Sequence, residues 1–386
     1  MNINHKLKLL SIATFCGLLV TLVQPVSAAN IYKTEGMRLL DDINTKFYNA
    51  QGRYVDNINT TTLAKSSACD CWPAANVVQA LVWGSVNDGK YTNRLNAYIG
   101  AVSWYVNGPG YGYTHGGQRF FDDNALMASH LMRAWAYKAR TQATLDAANI
   151  GLYFCWDNKD ANWGLPQTED KLGEGHFYVG PATSQGVSFA LHSKVTGGTT
   201  DKNRAIGFWN RLNYTNMNIK TPGKLFKNGS QFTNGTWISN TGPVPGATAH
   251  VVTLGGMLYN TTGDTNTINE TKAIADALLD QWYIAGGGFN AQPHQGGVGS
   301  VIALCQIYGA THDIKYKNAA QDICDYLMNH GKDNGGYYPT LNLDWTADRH
   351  GQNPPTTVDV QSQVCAAAAL LAYAYIDIND HLPPIN

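Results

Sequence analysis

Segments rich in Ala, Gly and Leu recur along this chain, and they carry little charge on any face. Apolar residues on all sides are typical of helices that are buried on most of their surface. The pattern therefore predicts six inner helices, at about residues 72–86, 122–138, 182–196, 246–261, 294–309 and 360–376.

More charged segments alternate with these, and their apolar residues recur at helical spacing. They predict outer, amphipathic helices at about residues 31–48, 90–106, 141–154, 201–214, 268–283 and 314–330. Strand-like alternation of polar and apolar residues is scarce. Six repeats of an outer helix followed by an inner helix predict an all-α fold, an (α/α)6 toroid of six inner and six outer helices.

Glycine and aromatic residues are combined near the passages from outer to inner helices, at residues 110–113, 151–156, 286–289 and 335–339. Alternate connections of a helical ring lie at the same end of the ring. We therefore expect these aromatic residues to line a cleft on one rim. The alternative is turn chemistry, with the aromatic rings closing the ends of helices.

The first residues resemble a secretory signal peptide, with His5, Lys6 and Lys8 before a mostly apolar run at residues 9–23. Val26-Ser27-Ala28 is a small-residue cleavage site. We therefore predict a signal peptide at residues 1–29, and a secreted, periplasmic or cell-surface protein without stable membrane insertion. No Pro/Ser-rich linker or charge block follows, so residues 30–386 are predicted to form a single domain.

Charge excludes a nucleic-acid partner, because 27 basic residues balance 28 acidic ones and no polybasic run exists. The chain has 10 Trp and 21 Tyr, whose ring faces suit the C–H faces of sugars; the alternative is an aromatic-rich core. Six of the seven cysteines follow the signal segment, which permits disulfides or buried free thiols. The absence of C-x-x-C and H-E-x-x-H motifs argues against zinc, and we expect no metal and no cofactor.

Asp122 and Asp123 are adjacent carboxylates at the start of a predicted inner helix. Repulsion between such neighbours makes one of them hold its proton more tightly than the other. Cleavage of a glycosidic bond uses such a pair, one group to protonate the leaving oxygen and one to attack or to activate water. The alternative is an acidic helix cap. The shared rim location favours a catalytic site.

The run FFDDNA at residues 120–125, with LMRAW at 131–135, resembles the Asp-Asp motif of glycoside hydrolase family 76. Weaker similarity lies in CWPAANVVQAL at residues 71–81, in 287–289 and in QSQVCAA at 361–367. The resemblance covers most of residues 31–378, and only the Asp-Asp segment is specific. That family contains endo-acting α-1,6-mannanases and fungal wall transglycosidases on an (α/α)6 barrel.

This resemblance implies that Asp122 is the nucleophile and Asp123 the general acid/base of a retaining glycosidase. It places the carboxyls about 5–5.5 Å apart, which requires that Asp122 is not yet helical. Two departures bear on the substrate. Leu126 and Met127 stand where family members commonly carry bulky aromatics, and residues 156–178 form an unusual Gly/Asn-rich acidic loop.

Further residues are candidates for binding a glycan, each with a structural alternative such as a core aromatic or a surface charge. They are Trp72, Trp104, Tyr113, His115, Arg119, Asn124, Trp156 and Trp237. Asp344, Asp348 and Glu174 are the runner-up acids.

The first hypothesis is an exported, monomeric endo-glycosidase acting on α-1,6-linked mannan or a related α-glycan. A polysaccharide lyase or another glycan-active enzyme on the same toroid is the second hypothesis. A non-catalytic glycan-binding protein is the third.

Overall fold

The structure is a computed structural model that describes residues 30–161, 163–239, 241–284, 286, 288–289, 296–339 and 349–385. The predicted signal peptide, Asp344 and Asp348 lie outside the described residues.

Twelve α-helices occupy the described part of the chain. They are α1 (Ile31–Asp42), α2 (Cys71–Asn87), α3 (Thr92–Val102), α4 (Phe121–Tyr137), α5 (Gln142–Asn158), α6 (Val179–Thr196), α7 (Thr199–Leu212), α8 (Pro245–Thr262), α9 (Thr265–Trp282), α10 (Gly296–Thr311), α11 (Ile314–His330) and α12 (Val360–Asn379). Each begins and ends within several residues of a helix that the sequence predicts.

The even-numbered helices form a closed inner ring. Each of α2, α4, α6, α8 and α10 packs against the next, and α12 packs against both α10 and α2. Each outer helix covers the inner helix that precedes it in the chain, and α1 covers α12. The predicted (α/α)6 toroid is therefore confirmed.

Burial explains the two kinds of helix. Nearly every residue of the inner helix α12 from Val360 to Ile376 is buried, whereas the outer helix α9 buries only one face, including Ile274 and Leu278. An all-round apolar helix is stable only where protein surrounds it, and an amphipathic helix is stable at the outside.

Connections at the two ends of the ring differ in length. Inner helices pass to the following outer helix through short turns, such as residues 138–141 and 197–198. Long connections lead from outer helices to the amino-terminal ends of inner helices, for example residues 103–120 and 213–244. All long connections therefore meet on one rim.

Short antiparallel strands order this rim. They are β1 (Asn57–Asn59) with β9 (Thr357–Asp359), β2 (Val106–Asn107) with β3 (Gly110–Tyr111), β4 (His176–Tyr178) with β5 (Gly229–Thr233) and β6 (Thr236–Ile238), and β7 (Tyr283–Ile284) with β8 (Gly288–Phe289). Ile58 of β1 is opposite Val358 of β9, so this pair joins the first long connection to the last.

The described residues of three of the four predicted glycine–aromatic connections lie on this rim, and the prediction for residues 151–156 is wrong. Those residues lie inside α5. Gly151 permits a close approach of α5 to α4, because a Cβ at this position would lie 2.4 Å from the carbonyl oxygen of Asn124.

The six described cysteines are buried free thiols, so the disulfide alternative is not realised among them. Within the described ranges, no helix has both the length and the apolar character needed to span a bilayer.

Candidate active site

Asp122 and Asp123 occupy the first turn of the inner helix α4. This helix begins at Phe121, and its N-cap residue Phe120 is extended and provides no side-chain cap. The backbone N–H of Asp123 instead donates to Oδ1 of Asp122 over 3.0 Å. The expectation that Asp122 precedes the helix is therefore wrong, since both residues are helical.

The two carboxyls have different environments. Burial raises the pKa of Asp122, and hydrogen bonds from the backbone N–H groups of Asp123 and of Asp122 itself oppose that rise. Burial raises the pKa of Asp123 well above its usual range, and the charges of Asp122 and Asp70 raise it further. Oδ2 of Asp123 is buried without a hydrogen-bond partner. Asp123 therefore keeps its proton to a higher pH than Asp122 does.

An open cleft on the rim contains both carboxyls. Its other lining residues are Asp56, Asp70, Trp72, Pro73, Tyr113, Phe120, Gln167 and Gln361. A second depression shares Trp72, Asp122 and Gln167 with this cleft and extends it past Tyr178 and Asn228. The cleft is therefore elongated, with the acid pair between its two ends.

Trp72 and Tyr113 are the predicted binding residues that line the acid cleft. Trp72 lies in the first turn of α2 and is partly exposed. Tyr113 is exposed, and a hydrogen bond with Asp70, aided by burial, raises the pKa of its phenol to about 12. Both aromatic side chains can contact a ligand that reaches Asp122.

Arg119, Trp104 and His115 do not line the acid cleft. The guanidinium of Arg119 forms an ion pair with Glu169, and it donates to the carbonyl of Asn107 over 2.9 Å. His115 stacks on Trp104 with ring centroids 5.1 Å apart, and its Nδ1 lies 2.7 Å from the Trp104 carbonyl oxygen. These contacts join connections of the rim. The three residues therefore do not bind a glycan within the acid cleft, and binding elsewhere stays a prediction.

Asn124 is fully buried, so its predicted contact with substrate is wrong. Its side-chain oxygen accepts the Tyr111 N–H over 2.6 Å, and its Nδ2 donates to the carbonyls of Tyr111 and Phe120. Asn124 therefore fixes the strand β3 against the start of α4.

Trp156 and Trp237 also lie away from the lining of the acid cleft. Trp156 packs between α5 and its neighbours, with Phe189 at 5.2 Å and the Arg204 guanidinium 4.5 Å above its ring. Trp237 lies on β6 and contacts Phe232 of the same hairpin. Trp156 is thus a core aromatic. Neither Trp156 nor Trp237 is placed to contact a glycan in the acid cleft, so the binding prediction is wrong there.

The polar residues of the cleft that sequence reasoning missed include Asp70, Gln167, Gln361 and His250. A signal existed for two of them. Asp70 directly precedes the inner helix α2, and Gln361 lies in the first turn of α12, so each begins an inner helix on the same rim as Asp122. Gln167 belongs to a connection, and only tertiary contacts show where it points.

Glu174, a runner-up acid, is exposed and forms ion pairs with Lys171 and His176 outside the acid cleft. Over the part of the chain that the structure describes, no group of three or more His, Cys, Asp or Glu residues could hold a metal ion. The carboxyls of Asp122 and Asp123 can supply acid–base and nucleophilic chemistry in the acid cleft.

The sequence matches no family model and no curated protein. The structure is similar to a family 76 glycoside hydrolase, an α-mannanase of Bacteroides thetaiotaomicron, with a TM-score of 0.77 and 16% identity. That match covers 90% of this chain and 97% of the other.

A family 76 mannosidase of the same organism gives a TM-score of 0.79 at 12% identity, covering 91% of this chain and all of the other. An α-1,6-mannanase of Salegentibacter sp. gives a TM-score of 0.74 at 13% identity, and the match covers 89% of this chain and 99% of the other. An inactive variant of that enzyme, with two consecutive aspartates replaced by asparagine, was solved with α-1,6-mannotriose. A D-mannose isomerase is also similar, with a TM-score of 0.68 at 11% identity. That match covers 90% of this chain and 98% of the other. The chain therefore has the (α/α)6 toroid fold of family 76 glycoside hydrolases, a fold that an isomerase shares.

Proposed function

We propose that this protein is an exported, retaining endo-glycosidase that hydrolyses α-1,6-linked mannan or a related α-glycan. The observation that carries the proposal is the acid pair in the elongated cleft, where burial and neighbouring charges raise the pKa of Asp123 more strongly than that of Asp122. Retaining glycosidases need this division of roles.

In the first step, Asp122 attacks the anomeric carbon while the bond from that carbon to the leaving oxygen breaks. Asp123 donates its proton to the leaving oxygen, and a covalent glycosyl ester on Asp122 results. In the second step, Asp123 removes a proton from water, the water oxygen displaces Asp122, and the anomeric configuration is retained.

The proposed substrate class rests on the shared fold, on the adjacent aspartates and on the shape of the cleft.

The two departures from the family pattern differ in whether their residues line the acid cleft. Met127 is fully buried, and Leu126 faces the interior of the ring, so neither lines the acid cleft. The connection after α5 contributes Gln167 and Tyr178 to the cleft. Differences in specificity therefore belong to residues 156–178.

Charge argues against the lyase alternative. A lyase acting on a uronate needs a cation to neutralise the substrate carboxylate. The cleft around Asp122 and Asp123 instead contains Asp56 and Asp70, and Arg119 is engaged by Glu169 outside the lining. An acidic cleft repels a polyuronate.

The test is incubation of the mature protein with unbranched α-1,6-mannan, other α-glycans and a polyuronate, with products followed by size. We expect oligosaccharides from the mannan or another α-glycan, and an α-anomer as the first product by NMR. Asp122→Asn and Asp123→Asn should each lower kcat by at least about 10²-fold, the range in which one general acid contributes.

Asp146→Asn is the matched control, because Asp146 is exposed on α5 and, among the described residues, its carboxylate accepts a hydrogen bond from Gln142. It should retain the wild-type rate. Wild-type rates in both site variants would refute the assignment of the pair. Glycan binding without release of products would support the non-catalytic alternative.

A further inference from the structure

A second cavity, of about 70 Å³, lies inside the inner ring. Its polar lining includes His130 and Arg133 of α4, His250 of α8, and Asn76 and Gln79 of α2. His250 also lines the extension of the acid cleft, so the cavity adjoins that cleft. Along α4, residues 122, 126, 129 and 133 follow helical spacing, which places Arg133 on the ring-facing side, roughly 16 Å below Asp122.

The Arg133 guanidinium is the unusual group in this cavity. Arg133 is only 5% exposed, and its Nε is buried without a hydrogen-bond partner. The described lining of the cavity contains no carboxylate. Arginine remains charged in proteins, so its burial requires a compensating negative charge or hydrogen-bond acceptor.

Neighbouring groups are also donors without partners. Both ring nitrogens of His130, and Nδ1 of His250, are buried and make no hydrogen bond. Burial and the charge of Arg133 keep the pKa of both imidazoles low, so each is neutral and offers one N–H. The hydroxyls of Ser129 and Thr183 already donate to backbone carbonyls of their own helices. The lining therefore has a positive charge and spare donors, which is complementary to an anion.

We propose that this cavity binds one small monovalent anion of the size of chloride, held by the Arg133 guanidinium and by N–H groups of His130 and His250. The cavity is far below the 300–1,000 Å³ of pockets for organic ligands, so a sugar or a nucleotide does not fit. A chloride displaces about one water of roughly 30 Å³ and leaves room for others. The proposal does not depend on the glycosidase function.

Crystals of the full mature protein grown in bromide test the site directly. We expect an anomalous difference peak within hydrogen-bonding reach of the Arg133 guanidinium. Density that refines as water alone, with no anomalous signal there, would overturn the proposal.

Solution measurements test the same site without crystals. Because an anion that binds only the folded state stabilises it, Tm should rise by about 4 °C from sodium gluconate to sodium chloride at equal ionic strength. Gluconate is too large for the cavity. Arg133→Met should abolish this difference, and Arg140→Met, which removes an exposed guanidinium just after α4, should keep it.

An equal chloride response in the wild type and in a folded Arg133→Met variant would contradict the assignment. If Arg133→Met does not fold, the bromide crystals of the wild-type protein decide alone.

Discussion

At the scale of single residues, Asp123 is the carboxyl of the site whose ionisation is opposed most strongly by its surroundings. Its folded-state pKa is raised by burial and by the charges of Asp122 and Asp70. A carboxyl of this kind stabilises the fold fully below its unfolded pKa near 3.9, and that contribution is lost as pH rises through the folded pKa. At neutral pH, the buried carboxyl either keeps a proton that the unfolded chain would lose or buries a charge, and both lower stability.

Replacement of Asp123 by Asn should consequently raise Tm at pH 7, by a few degrees, because a neutral amide needs no proton, whereas the buried carboxyl must keep one that the unfolded chain loses at this pH. The difference from the wild type should shrink as pH falls toward about 4, where both proteins are neutral at this position. Thermal unfolding across this pH range measures it, with Asp146→Asn as the control without effect. A loss of Tm at pH 7 would contradict the raised pKa.

The rate should show a bell-shaped dependence on pH for the same reason. Protonation of Asp122 lowers kcat/KM on the acid side, and ionisation of Asp123 lowers it on the alkaline side. Because both pKa values are raised, the bell should lie above the pH expected for ordinary carboxyls near 3.8.

Asp70→Asn provides a second variant for this profile. Removing its charge lowers the pKa of Asp123, so the alkaline limb should move to lower pH while the acid limb stays in place. An unchanged alkaline limb in Asp70→Asn would show that Asp70 does not act on Asp123.

At the scale of elements, a buried carboxylate joins α1 to the connection before α12. Oε1 of Glu35 accepts hydrogen bonds from Tyr338 at 2.9 Å and Lys332 at 3.2 Å, and Arg38 pairs with both oxygens. Burial alone would raise the pKa of Glu35, but the hydrogen bonds and charges of these partners lower it to about 2. The first helix is therefore held to the last long connection.

Glu35→Gln should lower the free energy of unfolding by about 1–3 kcal/mol at pH 7, because it leaves buried donors without their charged acceptor. Because the pKa of Glu35 is lowered in the folded state, its carboxylate stabilises the fold at pH values above its unfolded pKa near 4.5. This contribution is lost as the pH falls through about 2. Urea unfolding of both proteins should therefore converge across that window. Glu174→Gln, which breaks an exposed ion pair, should change stability little.

Helix spacing beside the acid pair gives another prediction at this scale. A Cβ at position 151 would lie 2.4 Å from the Asn124 carbonyl oxygen, a backbone atom that can move only with α4. Gly151→Ala should therefore destabilise the fold and lower kcat, because Asn124 fixes β3 beside the acid pair.

Gly100→Ala is the matched control, since a Cβ on this exposed residue of α3 meets nothing within 4 Å. It should stabilise the protein by up to about 1 kcal/mol through helix propensity. Thermal unfolding and initial rates measure both variants. Unchanged rate and Tm in Gly151→Ala would show that α5 can move away without cost.

At the scale of the whole molecule, the closed ring determines where a site can form. Every long connection leads to the amino-terminal end of an inner helix, so the connections converge on one rim. The helix ends there favour negative charge, which lowers the cost of holding Asp122 ionised. The opposite rim has short turns and little material from which to build a cleft.

Much of this architecture could be predicted from the sequence. Helix periodicity and all-round apolar segments are local properties, so they identified the helices and their alternation. The pair Asp122–Asp123 was also visible, because both residues are adjacent and begin an inner helix. Prediction failed for Arg119 and Asn124, whose partners Glu169 and Tyr111 lie on other connections.

The sequence by itself thus determined the twelve helices, their inner and outer character and the location of the acid pair. Tertiary structure alone decided which aromatic residues face the cleft, how the proton is divided within the pair, and that Arg133 is buried without a carboxylate among the described lining. The reason is physical. Helix pattern depends on neighbours a few positions apart, whereas burial and charge at a site depend on closure of the ring, which brings residue 58 beside residue 358.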